Sequence, residues 1–257
     1  MHDAAEDLAL IADAAKAAGD AIMGYYRQDP KIWDKGGNDP VTEADYAANR
    51  IIRERLTAAR PDYGWLSEEN PDDESRLEKD RSFVVDPLDG TRAFIKHRPE
   101  FVVSIGVLDK GHPLAGVLYD PCEEALYAAS REGGAFRNGD RIWVSDQDRL
   151  DGARILGDPG RLVALRDLGA KAHTVNSVAL RLALVACGAH DAVVAVRPKW
   201  DWDLIAGHLL VEEAGGVVTS RDGRALRYDL DTPRQPPPLA AGPVSYTHLT
   251  LPTILRV

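Results

Sequence analysis

Apolar residues recur every three or four positions from Asp3 to about Arg27, with Leu8, Ile11, Ala15, Ala18, Ile22 and Tyr25 on one stripe. That spacing predicts an amphipathic helix, which Pro30 ends. The polar, glycine-containing stretch from Asp34 to Asp39 reads as a loop. Thr42 then stands at an N-cap position ahead of Ala44, Ala48, Ile51, Ile52 and Leu56, a second stripe whose helix ends before Pro61. Tyr63 to Ser67 and Ser82 to Val85 read as short strands. From Glu100 to Ser145 the period drops to two. Val103, Ile105 and Val107 alternate with their neighbours, Asp109-Lys110-Gly111 turns the chain, Leu114 to Tyr119 and Ala125 to Ser130 return it, and Asn138-Gly139 marks another hairpin. This stretch predicts an antiparallel meander. Strands at 154–156, 172–175, 192–196 and 217–219 then alternate with helices at 160–168, 177–187 and 204–214.

The pattern predicts a mixed α and β layered protein, with an antiparallel sheet in its first half and a smaller α/β region in its second. The expected organisation is an N-terminal region over residues 1–150 and a C-terminal α/β region over 151–242. The chain is proline-rich from Asp231 to Pro243, and the residues from Ser245 onward show no clear period. Residues 243–257 resemble a translated cloning or adaptor sequence and are expected to be a foreign tail, outside the fold.

Charge narrows the partners. Among 257 residues, 31 Lys and Arg face 41 Asp and Glu, a formal net charge of −10. A general nucleic-acid binder would present a basic face, and a membrane-surface protein a polybasic one. No apolar run reaches the roughly 18 residues that a membrane span needs, and the first residues carry no basic, then apolar, leader. Two cysteines, Cys122 and Cys187, cannot build a disulfide framework, so a reduced, cytoplasmic setting is expected.

Three segments gather carboxylates. Trp65-Leu66-Ser67-Glu68-Glu69 has a pair at a strand end. Phe83-Val84-Val85-Asp86-Pro87-Leu88-Asp89-Gly90-Thr91 runs an apolar strand into two aspartates, where Pro87 fixes a turn that can point Asp86 and Asp89 to one side. Trp200-Asp201-Trp202-Asp203 opens an apolar helix. Each has a plain alternative: a solvated strand end, a turn, and an N-cap at Asp203. Yet hard oxygen ligands at such positions also suit Mg²⁺. The N–H groups of Gly90 and Thr91, opening a short helical stretch, could receive a phosphate. Together these features point to a two-metal phosphate-ester hydrolase.

At these residues the chain resembles the inositol monophosphatase superfamily, the Mg²⁺-dependent, lithium-inhibited group that includes inositol monophosphatases, fructose bisphosphatases and 3'(2'),5'-bisphosphate nucleotidases. Four ordered segments carry the resemblance: Pro40-Val-Thr-Glu-Ala-Asp45, Ser67-Glu68-Glu69, Asp86-Pro-Leu-Asp-Gly-Thr91 and Trp202-Asp-x-x-Ala-Gly207. The resemblance covers about residues 5–242. It implies a layered α-β-α-β-α sandwich of the sugar phosphatase type, two or three Mg²⁺ ions per site, and a homodimer, as is frequent in the family. It also implies roles. Glu68, Asp86 and the Leu88 carbonyl would hold a first ion, and Asp86, Asp89 and Asp203 a second, with Glu68 reaching a weaker third. Thr91 and Asp45 would orient and deprotonate the attacking water, and the Gly90 and Thr91 N–H groups would hold the phosphate. Asp203 rather than Asp201 has Ala206-Gly207 at family spacing. Glu69 would stand behind the ligands. The Asp34–Asp39 loop resembles the family's lid, and is otherwise a plain surface turn.

For the substrate, Arg92, Lys96 and Arg98 place three positive charges just after the signature, either to read a second phosphate or as a solvated turn. Phe94-Ile95-Lys96 with Glu100-Phe101, and Leu66 ahead of Ser67-Glu68-Glu69, resemble the bacterial 3'(2'),5'-bisphosphate nucleotidases, which convert adenosine 3',5'-bisphosphate, a by-product of sulfate activation, to AMP and phosphate. Pro99 and Val103-Ser104-Ile105-Gly106 fit the inositol monophosphatase pattern instead. The acidic residue that often contacts inositol hydroxyls is missing from Ala195-Val196-Arg197-Pro198-Lys199, which favours a more anionic substrate. Ser177 matches a substrate-side segment, with an N-cap as its plain alternative. His97 stands near the signature, while His173, His190 and His208 read as structural. The leading expectation is a bisphosphate nucleotidase acting on a small phosphorylated substrate. The alternatives are an inositol or broad sugar-phosphate phosphatase, and a metal- or ligand-binding regulatory protein without catalysis.

Overall fold

The computed structural model describes residues 3–72 and 74–249. The first helix, α1 (Ala4–Tyr25), starts at Asp3, whose carboxylate accepts the Ala5 N–H. Strands β1 (Ile32–Asp34) and β2 (Pro40–Thr42) pair antiparallel, so the polar loop is the tip of a small hairpin. Helix α2 (Glu43–Ala59) has the expected Thr42 cap, within a capping box closed by Asp45. A large sheet follows: β3 (Gly64–Ser67), β4 (Arg81–Asp89), then, after the short helix α3 (Thr91–Ile95), β5 (Val102–Asp109), β6 (His112–Asp120), β7 (Ala125–Ser130), β8 (Gly134–Arg137) and β9 (Asp140–Arg141). Its seven strands lie in chain order, with β3 and β4 parallel and the rest antiparallel.

The second half contributes β10 (Arg154–Leu156), α4 (Val163–Asp167), β11 (Lys171–His173), α5 (Val178–Ala186), β12 (Ala192–Val194), β13 (Lys199–Trp200), α6 (Asp201–Glu213), β14 (Val217–Ser220), β15 (Arg234–Gln235), β16 (Pro238–Ala241) and α7 (Pro243–Leu249). Its five-stranded sheet has the order β11-β10-β12-β16-β14. Three features depart from the sequence expectation. The helix expected over 160–168 is only one turn. The proline-rich stretch supplies two strands, one of them, β16, between β12 and β14. Pro238 is the first residue of that strand, a place where a missing N–H does least harm. Residues 243–249, expected to lie outside the fold, form α7, and Leu249 is buried against Ile155, Ala192 and Val194.

Alternation sorts the large sheet between two helix layers. Val103, Ile105 and Val107 of β5 pack with Ile11, Ile22, Ile52 and Leu56 of α1 and α2, while Val102 and Leu108 join the α5 and α6 cluster on the other face. Each fully buried Ile or Leu contributes about 1.5–3 kcal/mol. The smaller sheet closes the far side of α5 and α6, and its outer face packs against Leu162, Leu165 and Leu249. The result is the expected α-β-α-β-α sandwich.

Two glycines set the depth of α6. A Cβ at Gly106 would come within 2.4 Å of Ile205 Cγ2, and one at Gly116 within 2.8 Å of Ala206 Cα. Bare backbone at these two strand positions lets α6 lie close on the sheet, and so brings its first turn to the end of β4. A buried arginine ties the edges together. Arg76 donates to Asp72 at 2.8 Å, to Asp229 at 3.0 Å and to the Leu230 carbonyl at 2.8 Å.

Candidate metal centre and active site

β4 does not stop at Val85. It runs on to Asp89 with a register shift: Asp86 faces Ser104 and Asp89 faces Val102, three residues of advance against two. In a regular strand, positions three apart point to opposite faces. The extra residue at this bulge puts both aspartates on the same side, with Pro87 inside the bulge. The expected turn is therefore a bulge in a continuing strand. The consequence for Asp86 and Asp89 is the one the sequence suggests.

Three further elements converge there. The backbone of Glu68 extends the parallel pairing of β3, its N–H donating to the Val85 carbonyl at 3.1 Å, which sets Glu68 beside Asp86. Asp203 occupies the third position of α6, and its Oδ2 accepts the Trp200 N–H at 3.0 Å. Asp203 thus reaches back from the third helical position to the N-cap backbone and is not the N-cap itself. Gly90 has φ of 112°, and a Cβ there would approach the Glu100 carbonyl oxygen to 2.5 Å, so the tight passage from β4 into α3 requires glycine. Carboxylate oxygens of Asp86, Asp89 and Asp203 lie within 4.8 Å of one another. They line a cleft of about 230 Å³ together with Glu68, Leu88, Gly90 and Thr91.

So dense a set of buried carboxyls resists ionisation. Burial first, then the charges of Glu68, Asp89 and Asp203, push the Asp86 carboxyl well above its ordinary value. Burial also raises Asp89, against the hydrogen bonds that favour its charged form. Asp203 is pushed up to about 8 by burial and then by Asp89. An all-oxygen donor set that is short of positive charge fits a hard divalent cation such as Mg²⁺.

The remaining residues divide into those that face the cleft and those that do not. Asp45 is buried, with Oδ2 accepting the Thr42 N–H at 2.8 Å and the Thr42 hydroxyl at 2.6 Å. Its Oδ1 faces the Thr91 hydroxyl at 3.0 Å, and that hydroxyl also lies 3.1 Å from the Leu88 carbonyl. Burial raises the Asp45 carboxyl to about 6. Lys35, at the hairpin tip, reaches Glu68 at 2.7 Å and Glu69 at 3.0 Å. Arg92 donates to the Asn38 carbonyl, which ties the same loop to α3. The loop therefore lies over the acidic centre, and Asp39 and Pro40 are part of the cleft wall.

Two expected substrate residues are placed elsewhere. Ser177 is fully buried and caps α5. Its hydroxyl donates to Asp89 at 2.7 Å, alongside the Ala179 N–H at 2.6 Å, so it positions that carboxylate from behind. Its neighbours Asn176 and Val178 line the cleft instead. Lys96 closes the last turn of α3 and is exposed outside the cleft, because one helical turn carries it away from Thr91. The cleft takes its positive charge from Arg92 and Lys199. The basic run before Trp200 is the one sequence signal for Lys199. Asp201, the rejected alternative to Asp203, is turned away, with its Oδ1 accepting Gln235 Nε2 at 2.7 Å.

Comparison with known proteins agrees with this geometry. The model of the inositol monophosphatase family matches residues 3–250. The 3'(2'),5'-bisphosphate nucleotidase CysQ of Escherichia coli is 36% identical over 234 residues, 88% of this chain and 94% of that protein. The inositol-1-monophosphatase of Mesorhizobium japonicum is 38% identical over 235 residues, 84% of this chain and 86% of that protein. The crystal structure of the extragenic suppressor protein suhB of Bartonella henselae superposes with a TM-score of 0.85 at 32% identity, covering 98% of each chain. The chain belongs to the inositol monophosphatase family, whose members are metal-dependent phosphatases.

Proposed function

We propose that this protein is a Mg²⁺-dependent 3'(2'),5'-bisphosphate nucleotidase that converts adenosine 3',5'-bisphosphate to AMP and phosphate. The observation that carries the choice is the charge of the cleft wall. Lys199 and Arg92 both line it beside Asp39 and Asn176, and a polyol substrate would need only the carboxylate and the amide of the latter pair. Two cations beside a phosphate-ester site favour a substrate with a second phosphate.

Glu68, Asp86, Asp89, Asp203 and the Leu88 carbonyl would hold two or three Mg²⁺ ions. When bound, such ions neutralise phosphate charge and make water acidic. The chain's own groups supply the rest. The first turn of α3, opened by Gly90 and Thr91, would hold the phosphate. Thr42 fixes the orientation of Asp45, whose free oxygen meets the Thr91 hydroxyl. With its carboxyl near 6, Asp45 is ionised at neutral pH yet basic enough to draw a proton through Thr91 from the attacking water.

Inositol 1-phosphatase activity is the second reading, favoured by the 38% identity to the Mesorhizobium enzyme. A phosphate-release panel separates the two. Adenosine 3',5'-bisphosphate should exceed inositol 1-phosphate at least tenfold in kcat/KM, about 1.4 kcal/mol. The reverse ranking overturns the nucleotidase reading. Failure to release phosphate from any monoester in Mg²⁺ leaves only a regulatory metal- or ligand-binding role. Inhibition by Li⁺ is expected in the same panel.

A further inference from the structure

The cleft has an aromatic wall that the metal centre does not use. Trp200 is 40% exposed and lines the cleft beside Trp202 and Asp203. Its ring stacks on that of Trp202, with centroids 5.0 Å apart and 12° between the planes. Opposite it across the β13–β15 pair is Arg234, whose guanidinium carbon stands 5.4 Å from the Trp200 ring centroid. Asp203 takes only the backbone N–H of Trp200, which any residue except proline would supply.

Trp202 and Arg234 cover part of this indole, and what they leave open beside a cluster of carboxylates is apolar surface that a ligand can cover. Its setting is rigid. The Trp200 backbone is fixed on one side by strand pairing and on the other by the start of α6, and Gln235, next to Arg234, is anchored on Asp201. A pre-positioned ring loses little freedom when a ligand docks on it. An open indole surface with a guanidinium beside it suits a flat, electron-rich heterocycle, which packs on the one and attracts the other.

We propose that Trp200 and Arg234 form a subsite for a planar heteroaromatic ring carried by the leaving alcohol of the phosphate ester, so that the alcohol is a nucleoside. The inference rests on the nucleotidase reading and adds the residues that would discriminate a nucleoside from a polyol, which has no such ring. The proline-rich segment acquires a function by it, because that segment brings Arg234 to Trp200.

Kinetics on the full chain test the subsite. Trp200→Ala should raise KM for adenosine 3',5'-bisphosphate by about fivefold to a hundredfold, the range for loss of one base–aromatic stack. Its kcat and its Mg²⁺ dependence should hold, since the backbone bond to Asp203 survives. The abasic tetrahydrofuran analogue should be hydrolysed equally by both proteins, and Trp200→Phe should recover most of the loss. An equal loss on both substrates, or no loss on the nucleotide, overturns the subsite. Binding gives a readout without turnover. AMP should quench a tryptophan signal that Trp200→Phe removes, and ribose 5-phosphate should not; quenching that survives in Trp200→Phe overturns the proposal. A preference for inositol 1-phosphate would defeat the nucleotidase reading alone, and the AMP titration would still decide whether the ring site exists.

Discussion

The ammonium of Lys35 lies 2.7 Å from Glu68, on a carboxylate proposed to hold metal, and 3.0 Å from the buried Glu69. Burial by itself would lower the lysine's pKa, but the two glutamates outweigh it and raise it. Glu69 is pushed up to about 7 even so, first by burial and then by Glu68. In the metal-free protein Lys35 therefore acts as a counter-ion to the acidic centre. Lys35→Met should lower the melting temperature in chelator, and saturating Mg²⁺ should restore most of the difference. An equal deficit with and without Mg²⁺ would assign Lys35 a purely structural contact.

The Thr91–Asp45 contact predicts a loss confined to the chemical step. Thr91→Val removes the hydroxyl between Asp45 and the cleft, and kcat should fall about 10²–10⁴-fold, the usual share of a positioned acid or base. KM should change little, and Thr91→Ser should retain most of the activity. Steady-state kinetics on the three proteins check this. A valine variant at wild-type kcat would remove the pair from the reaction.

Asp203 predicts a pH dependence. Its carboxyl stands near 8 in the folded, metal-free protein and near 4 in an unfolded chain. A raised value means that folding favours the protonated form. This contribution is complete below about pH 4 and is lost as pH rises to about 8. The melting temperature in chelator should therefore fall from pH 5 to pH 8.5, and Asp203→Asn should flatten the slope. Metal affinity should rise over the same range, since ions displace those protons. Scanning fluorimetry and calorimetric titration at several pH values measure both. A chelated wild-type protein that gains stability across this window would contradict the assignment.

Arg76 predicts a stability loss far from the chemistry. Removing it strands Asp72, Asp229 and the Leu230 carbonyl at once. Arg76→Ala should cost about 3–5 kcal/mol in urea unfolding, as breaking a buried pair does. Activity per folded molecule should be unchanged. A cost below about 1 kcal/mol would mean that water replaces the guanidinium.

Much of this was legible in the chain. The stripes of α1 and α2 and the alternation of β5 to β7 come from local periodicity, and each element buries the face it advertises. The carboxylates were legible for a different reason: they cluster within short segments of unusual composition, so few residues had to be located. Reading failed where position depends on pairing partners far away. Nothing local in Asp231 to Pro243 marks two strands, because prolines hide the alternation and the partners lie 18 to 49 residues upstream. Lys96 shows that closeness to a signature in sequence is not closeness to the cleft, because a single turn of α3 carries it outward. Ser177 is 88 residues from Asp89 in the chain yet touches it, and the cap of α5 turns its hydroxyl onto that carboxylate and not into the cleft.

The placement of β16 governs the order in which the molecule can be completed. It is the strand between β12 and β14, yet it follows both in the chain. During synthesis the large sheet and its helices can assemble while the smaller sheet is still split, with β12 and β14 presenting unpaired edges across a gap one strand wide. Until residue 241 is available that gap stays open, and one face of α5 and α6 lacks its cover. The last strand is thus a keystone, and a nascent chain stalled ahead of it would carry a nearly finished active site on an unfinished, association-prone body.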